Sequence, residues 1–449
     1  MVLLLRKFDE HDDGLGLFFI IWSLAIFFHF EWAYLAFATK GFASESLTLP
    51  ELAIIIAAPI VISTLRRDVF LIMIVAQLVD CYQMQPKSPN HWQLVAIVNI
   101  AYLLSEVWAY LTRSSRSVIF RRSLTVITIA FYGFATFWKL TFDFFDPSSS
   151  CAAAFFTEIP ILGSLTPKFL IQTIPITTIL IEALIPTLIA LRKYKAAFTL
   201  GTIFHFTLAL NLPRSFVNFS GVMYTLLIGS CSTEAFYKRS LLSQAKYRKI
   251  VALIIPGTLI YVLSSPAPQL IYMTIRFLTM GVLAAYLLYL ALGSSSNRSG
   301  EYFAGASDQS APKGCKVATI IPTTLLILIG ISPILGIRNG SAWQMYGNLV
   351  LTSDKSNHLI LPPSFNLLNF QGHEVEVTYA DGMVKVKEFL SLAQECQFVR
   401  CREGIKSIKD IEGTDISIDL VIEKSKNLTW FERKVVRLYT SDEMIGCRW

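Results

Sequence analysis

Long apolar runs, cut at intervals by short basic or proline-containing turns, fill the first three quarters of this chain. By apolar length they lie near residues 15 to 39, 50 to 64, 69 to 82, 92 to 111, 121 to 140, 170 to 191, 197 to 211, 215 to 233, 250 to 264, 269 to 292 and 316 to 337. Each predicts a helix. Runs of about fifteen residues fall short of the roughly 17 to 25 that a spanning helix needs, so the pairs at 50 to 82 and 197 to 233 also fit re-entrant or tilted segments. The expected fold class is an all-α polytopic membrane bundle of nine to eleven transmembrane helices, with a small α+β extramembrane domain at the C-terminus.

The pattern changes after residue 338. Polar and apolar positions alternate from His373 to Tyr379, Ala380-Asp381-Gly382 supplies a turn, Met383 to Lys387 alternates again, and Phe389 to Arg400 reads as an amphipathic helix. This divides the chain into a cytoplasmic N-terminus (1–14), a transmembrane bundle (15–292), a flexible cytoplasmic linker (293–315) opening on Gly293-Ser294-Ser295-Ser296, a last transmembrane helix (316–337) and an extracytoplasmic domain (338–449).

Composition supports the membrane reading, since 53% of residues are hydrophobic and 16% charged, against about 25% charged in a soluble domain. The first ten residues are too charged for a signal peptide, so the first helix is expected to be retained. Basic residues set the orientation. They cluster in alternate loops, at Arg6/Lys7, Arg66/Arg67, Arg113 to Arg122, Arg192 to Lys195, Lys238 to Lys249 and Arg298 to Lys316. The opposite loops hold only Lys40, Lys87, Lys168 and Arg214. The basic set marks the cytoplasmic side, not a nucleic-acid site, and eleven crossings put the tail outside. The expected partners are the lipid bilayer and a lipid-soluble small molecule, with no nucleic acid; nothing identifies a protein partner.

On this topology the outer loop from Thr141 to Lys168, with its aspartates, serines and prolines, reads as a structured cap over a cavity mouth. Cys81, Cys151, Cys396, Cys401 and Cys447 face the oxidising side, Cys396 and Cys401 being the nearest pair, and buried free thiols explain them equally well. No Cys or His spacing suits a metal.

Polar residues inside apolar runs carry the candidate chemistry. They are His29, Glu31, Asn99, Glu106, Lys139, Glu182, His205, Asn211, Asn218 and Arg276, most of them in the outer half of their helices. Interhelical hydrogen bonding accounts for such residues as readily as a cavity does. Lys139 stands out because a charge in hydrocarbon needs a partner. Asp143, four residues on, has the spacing of a helical ion pair, and a lysine near a helix end can also snorkel.

Gly133-Phe134-Ala135-Thr136-Phe137-Trp138-Lys139-Leu140-Thr141-Phe142-Asp143, with Phe204-His205 and Asn218-Phe219-Ser220 further on, resembles the conserved blocks of the vitamin K-dependent γ-carboxylase superfamily, the horizontally transferred transmembrane (HTTM) domain family. The likeness covers roughly residues 15 to 290; Met345 to Leu349, Asn357-His358-Leu359 and Pro362 are similar to the tail of bacterial members. The resemblance implies an enzyme using a lipid-soluble, vitamin K-like quinone. Lys139 would be its base and His205 the base's partner, while Trp138, Asp143, Asn218, Arg276, Glu182 and His29 would contact substrate. The chain lacks the large outer domain of the authentic carboxylases and carries Asn211-Leu212-Pro213-Arg214 where they have a shorter polar stretch, which points to a bacterial-type relative. Two other classes stay open. One is a transporter or channel with a pathway through His29, Glu31, Glu182 and Arg276; the other is a non-catalytic membrane scaffold or immunity-type protein.

Overall fold

The computed structural model describes residues 15–30, 48–85, 88–159, 162–211, 216–263, 268–293, 303, 316–338, 342–343, 349, 356–362, 374–379, 384–389, 392–393, 405–410 and 413–435. Every apolar run marked in the sequence contains a helix: α1 (Gly16–Phe27), α2 (Leu49–Thr64), α3 (Arg67–Gln83), α4 (Asn90–Thr112), α5 (Arg116–Phe137), α9 (Lys168–Ala190), α10 (Tyr194–Ala209), α11 (Val217–Cys231), α13 (Ala245–Leu263), α14 (Pro268–Leu292) and α15 (Lys316–Gly330). Between them lie the short helices α6 (Phe142–Phe145), α7 (Cys151–Thr157), α8 (Leu162–Leu165) and α12 (Glu234–Arg239). Among the described residues three helices, α4, α5 and α9, are long and apolar enough to cross a membrane; α1, α2, α11 and α15 are apolar but shorter.

Local chemistry sets several boundaries. Thr48 and Glu51 form a reciprocal capping box at the start of α2, and Leu65, in the left-handed region, ends it. The runs at 50 to 64 and 69 to 82 are thus two separate helices packed on each other. Pro59, Pro175, Pro186 and Pro322 sit inside helices; apolar, tightly packed surroundings tolerate such interruptions.

Burial orders the bundle. Every residue of α1 and α11 is buried, so these two helices, apolar all round, form the central pair, and the others pack about them. Gly201 lets α10 approach α11, because a Cβ there would come within 2.6 Å of Leu227. Gly330 likewise leaves room for the Phe134 ring. Within the segment read as a flexible linker, 293 to 315, Phe303 is buried beside Phe198 and Phe236, at ring separations of 5.5 and 5.2 Å.

The tail carries a three-stranded antiparallel sheet in the order β2 (Val384–Glu388), β1 (Glu374–Tyr379), β3 (Ile405–Asp410). Val375, Val377, Ile405 and Ile408 form its core with Val421 and Leu428, which bring in helix α16 (Ile418–Asn427). The short α17 (Trp430–Lys434) touches the bundle where the Trp430 indole donates to the Tyr82 hydroxyl at 3.3 Å. Most of the expected helix from 389 to 400 lies outside the described residues.

Candidate functional site

Helix α5 ends at Phe137, three residues before the limit read from sequence, and the chain tightens through Trp138 and Lys139 before turning extended at Thr141. The end of the helix removes the basis for an i,i+4 pair. Asp143 is not the partner of Lys139: its carboxylate accepts from the Asn357 side-chain amide. Lys139 instead folds back along α5. Its Nζ donates to the Ala135 carbonyl at 3.3 Å and to Glu182 Oε1 on α9 at 3.1 Å, and Glu182 Oε2 lies at ion-pair distance, 2.9 Å. Both side chains are buried, at 3% and 6% exposure.

This pair forms part of the wall of a cavity of about 380 Å³. One stripe of α9 lines it, Leu170, Thr173, Ile174, Thr177, Thr178, Ile181 and Glu182, at the spacing of a single helix face. Opposite stand Leu200, Ile203, Phe204 and Thr207 of α10. The hydroxyls of Thr173, Thr177 and Thr207 donate to carbonyls of their own helices, three or four residues back, which satisfies part of their polarity within the helix. Lys139 and Glu182 are the charged residues of the lining.

The segment read in the sequence as a cap contributes to the cavity lining. Phe144, Ala152, Phe155, Phe156 and Ile159 close one side, and Asn211 ties the end of α10 to them by donating to the Phe155 carbonyl at 2.6 Å and to Glu158 at 3.3 Å. Cys151, at the start of α7, is disulfide-bonded, its partner lying outside the described residues, whereas Cys81 and Cys231 are buried free thiols.

His205 stands one residue from the wall. Its Nε2 lies 2.6 Å from the Tyr132 hydroxyl, and the rings of Phe204 and Phe219, both in the lining, flank it at 5.0 and 5.3 Å. Among the described residues His205 Nδ1 and Asn218 Oδ1 are buried without a hydrogen-bond partner.

Other residues singled out in the sequence sit elsewhere. The Trp138 indole donates to the Gly330 carbonyl at 2.9 Å and packs beside His358, away from the cavity. His29 stacks on Trp92 with ring centroids 3.7 Å apart and lies 3.0 Å from His91, so it takes no part in the cavity wall. Glu106 is clamped by Arg67 and Arg116. Arg276 lies on α14, but its side chain, like all of Glu31, is outside what the structure describes. Among the described residues no group of three His, Cys, Asp or Glu could hold a metal ion.

Sequence reasoning named Glu182 without seeing its pairing and missed Tyr132. The available signal was that Lys139 and Glu182 are opposite charges in neighbouring apolar runs, each needing compensation. Comparison with the models of known families, with curated proteins and with solved structures found nothing that matches this chain, so the likeness to the γ-carboxylase superfamily rests on the residues quoted for it.

Proposed function

We propose that this chain is a multi-pass membrane protein of the γ-carboxylase-like (HTTM) type that takes a lipid-soluble molecule of the quinone class into the cavity between α9 and α10, where Lys139 and Glu182 act on its polar end. The observation carrying this reading is the buried ion pair on an otherwise apolar wall. A charged pair gains little for stability from such a place, because desolvation offsets most of the attraction, and an apolar pair would serve packing as well.

Three observations support the membrane setting. Helices α4, α5 and α9 have the length and apolarity to span. Large apolar side chains such as Ile56, Val107, Leu180, Leu253 and Val282 face outward, a surface suited to lipid. The disulfide at Cys151 fits an oxidising compartment on the cap side, which agrees with the basic loops marking the opposite side as cytoplasmic.

The cavity suits a flat apolar guest. Its volume lies in the range of small-molecule sites, and Phe155, Phe204, Phe216 and Phe219 offer ring faces and edges. Leu170 and Ile203, at its margin, are 44% and 46% exposed, so the space opens to the flank of the bundle where lipid would lie. A quinone of this kind would supply the redox chemistry of its own ring.

The chain's residues supply proton handling. Lys139 and Glu182 can pass a proton along the 3.1 Å hydrogen bond from Nζ to Oε1 without leaving either side with an uncompensated charge. With the proton on Glu182, the neutral Lys139 amine can take the proton of a hydroxyl presented at this end, and the ammonium then neutralises the anion left behind. His205 fixes Tyr132 behind the same wall. The transporter reading is less favoured, because His29, which it would recruit with Glu182, belongs to a separate network.

The test is a spectroscopic titration of the purified protein with menadione. Saturable one-site binding, lost when Ile203→Trp fills the cavity, supports the reading; unsaturable partitioning that the substitution leaves unchanged refutes it.

A further inference from the structure

The tail segment from Ser356 to Pro362 has no part in the proton chemistry above, yet it grips the turn that carries Lys139. The Phe142 amide donates to the Asn357 carbonyl at 2.9 Å and the Leu359 amide to the Leu140 carbonyl at 2.8 Å, an antiparallel bridge joining Thr141 to His358. Within two residues of Lys139, the chain is therefore held by the tail.

His358 pins this bridge. Two backbone amides, of Ile360 and Leu361, each lie 3.2 Å from its Nδ1, so Nδ1 is the acceptor and the ring proton sits on Nε2. Nε2 then donates to the Phe137 carbonyl at 3.1 Å. That carbonyl belongs to the last turn of α5 and also accepts from the Leu140 amide at 3.0 Å, so the ring fastens onto the turn that follows the helix. The ring is buried against Phe137 and Trp138, with centroids 4.8 and 5.6 Å away. A neutral imidazole can donate on one side and accept on the other; a protonated one would aim an N–H at two amide N–H groups.

We propose that His358 is a positioning residue for Lys139: its neutral ring locks the tail segment onto the end of α5 and so fixes the turn that sends the Lys139 side chain to Glu182, and protonation of the ring releases that lock. Burial favours the neutral ring and holds His358 below the ordinary histidine range, with the Phe137 carbonyl partly opposing. The lock is thus complete above the unfolded-state value of about 6.5 and is lost as pH falls through the lower folded value. The charged groups on the elements packed against it are committed elsewhere, Asp143 to Asn357, Lys139 to Glu182, and Arg338 to Gln85 and Gln93.

The consequence for activity rests on the function proposed above, but the lock itself is measurable without a ligand. In detergent-purified full-length protein, amide hydrogen exchange and mass-spectrometric acylation of Lys139, normalised to exposed Lys193, are followed as pH is lowered. As pH falls from about 8 through the folded His358 value, the protection of the Phe142 and Leu359 amides, corrected for intrinsic exchange, should fall about tenfold, and Lys139 acylation should rise in step. Amides in α4 should hold their protection. His358→Leu should behave at every pH as wild type does in acid. His358→Asn, whose side-chain oxygen can take the place of Nδ1 as acceptor, should keep the Ile360 and Leu361 amides protected with no pH step. A flat wild-type profile, or a pH step surviving in His358→Asn, overturns the assignment, and the second result stands even if the leucine variant does not fold. A pH step as described, with no menadione binding at any pH, supports the lock and removes the proposed function instead.

Discussion

Two of the buried polar groupings in this bundle are finished differently. In the first, the Trp22 indole donates to Asn99, Asn99 to Gln77, Gln77 to the Trp92 carbonyl and the Trp92 indole to Asp80, all between 2.7 and 3.2 Å. Each polar side-chain atom of Trp22, Asn99, Gln77 and Trp92 has a partner, and none of these residues lines the cavity beside Lys139. In the second, Lys139 and Glu182 face open space and His205 keeps an unpaired Nδ1. A saturated network serves packing. An unsaturated one beside a cavity has capacity left for a guest.

The comparison is broken most sharply at the ion pair. Lys139→Ala leaves Glu182 buried without its counter-charge, a loss of about 3–5 kcal/mol in unfolding stability, measured by thermal unfolding in detergent. Replacing both partners by leucine should recover most of that stability while abolishing menadione binding. If the double variant binds menadione as wild type does, the pair has no part in the site. The saturated network should behave in the opposite way. Asn99→Ala orphans groups on both sides and should cost about 1–3 kcal/mol, with menadione affinity unchanged once the folded fraction is matched. Smallest in stability, Ile203→Trp at the cavity margin should shift the midpoint by less than about 1 kcal/mol, within the usual range for surface positions, yet remove binding.

The helices were legible because apolar length is a local property. All eleven runs correspond to helices, and the hairpin read at 373 to 387 appears as strands 374–379 and 384–388 in antiparallel register. The third strand, Ile405–Asp410, was missed: its sequence Ile-Lys-Ser-Ile-Lys-Asp buries every third residue rather than every second, so the alternation that marks a strand is absent. Lys139 was legible as an anomaly, but not its partner. The spacing to Asp143 assumed a helix that stops at Phe137, whereas Glu182 lies 43 residues away and meets Lys139 only through the packing of α9 on α5. The tail grip was equally hidden, since the bridge of Thr141 to His358 joins segments more than two hundred residues apart and leaves no periodic trace.

The cap adds a comparison within the site. Reducing the disulfide at Cys151 should loosen the segment that bears Phe155 and Phe156 and speed menadione release, leaving the saturated network untouched. Stopped-flow dissociation with and without reductant reads this directly; equal rates would separate the cap from the site.

The central claim is that the Lys139–Glu182 wall encloses a site for a lipid-soluble guest. Equilibrium titration of wild type and the Ile203→Trp variant with menadione, followed by quenching of intrinsic tryptophan fluorescence at matched folded fraction, tests it most directly. The account predicts saturable one-to-one binding in the wild type and none in the variant. Linear, unsaturable quenching that is the same in both proteins contradicts it.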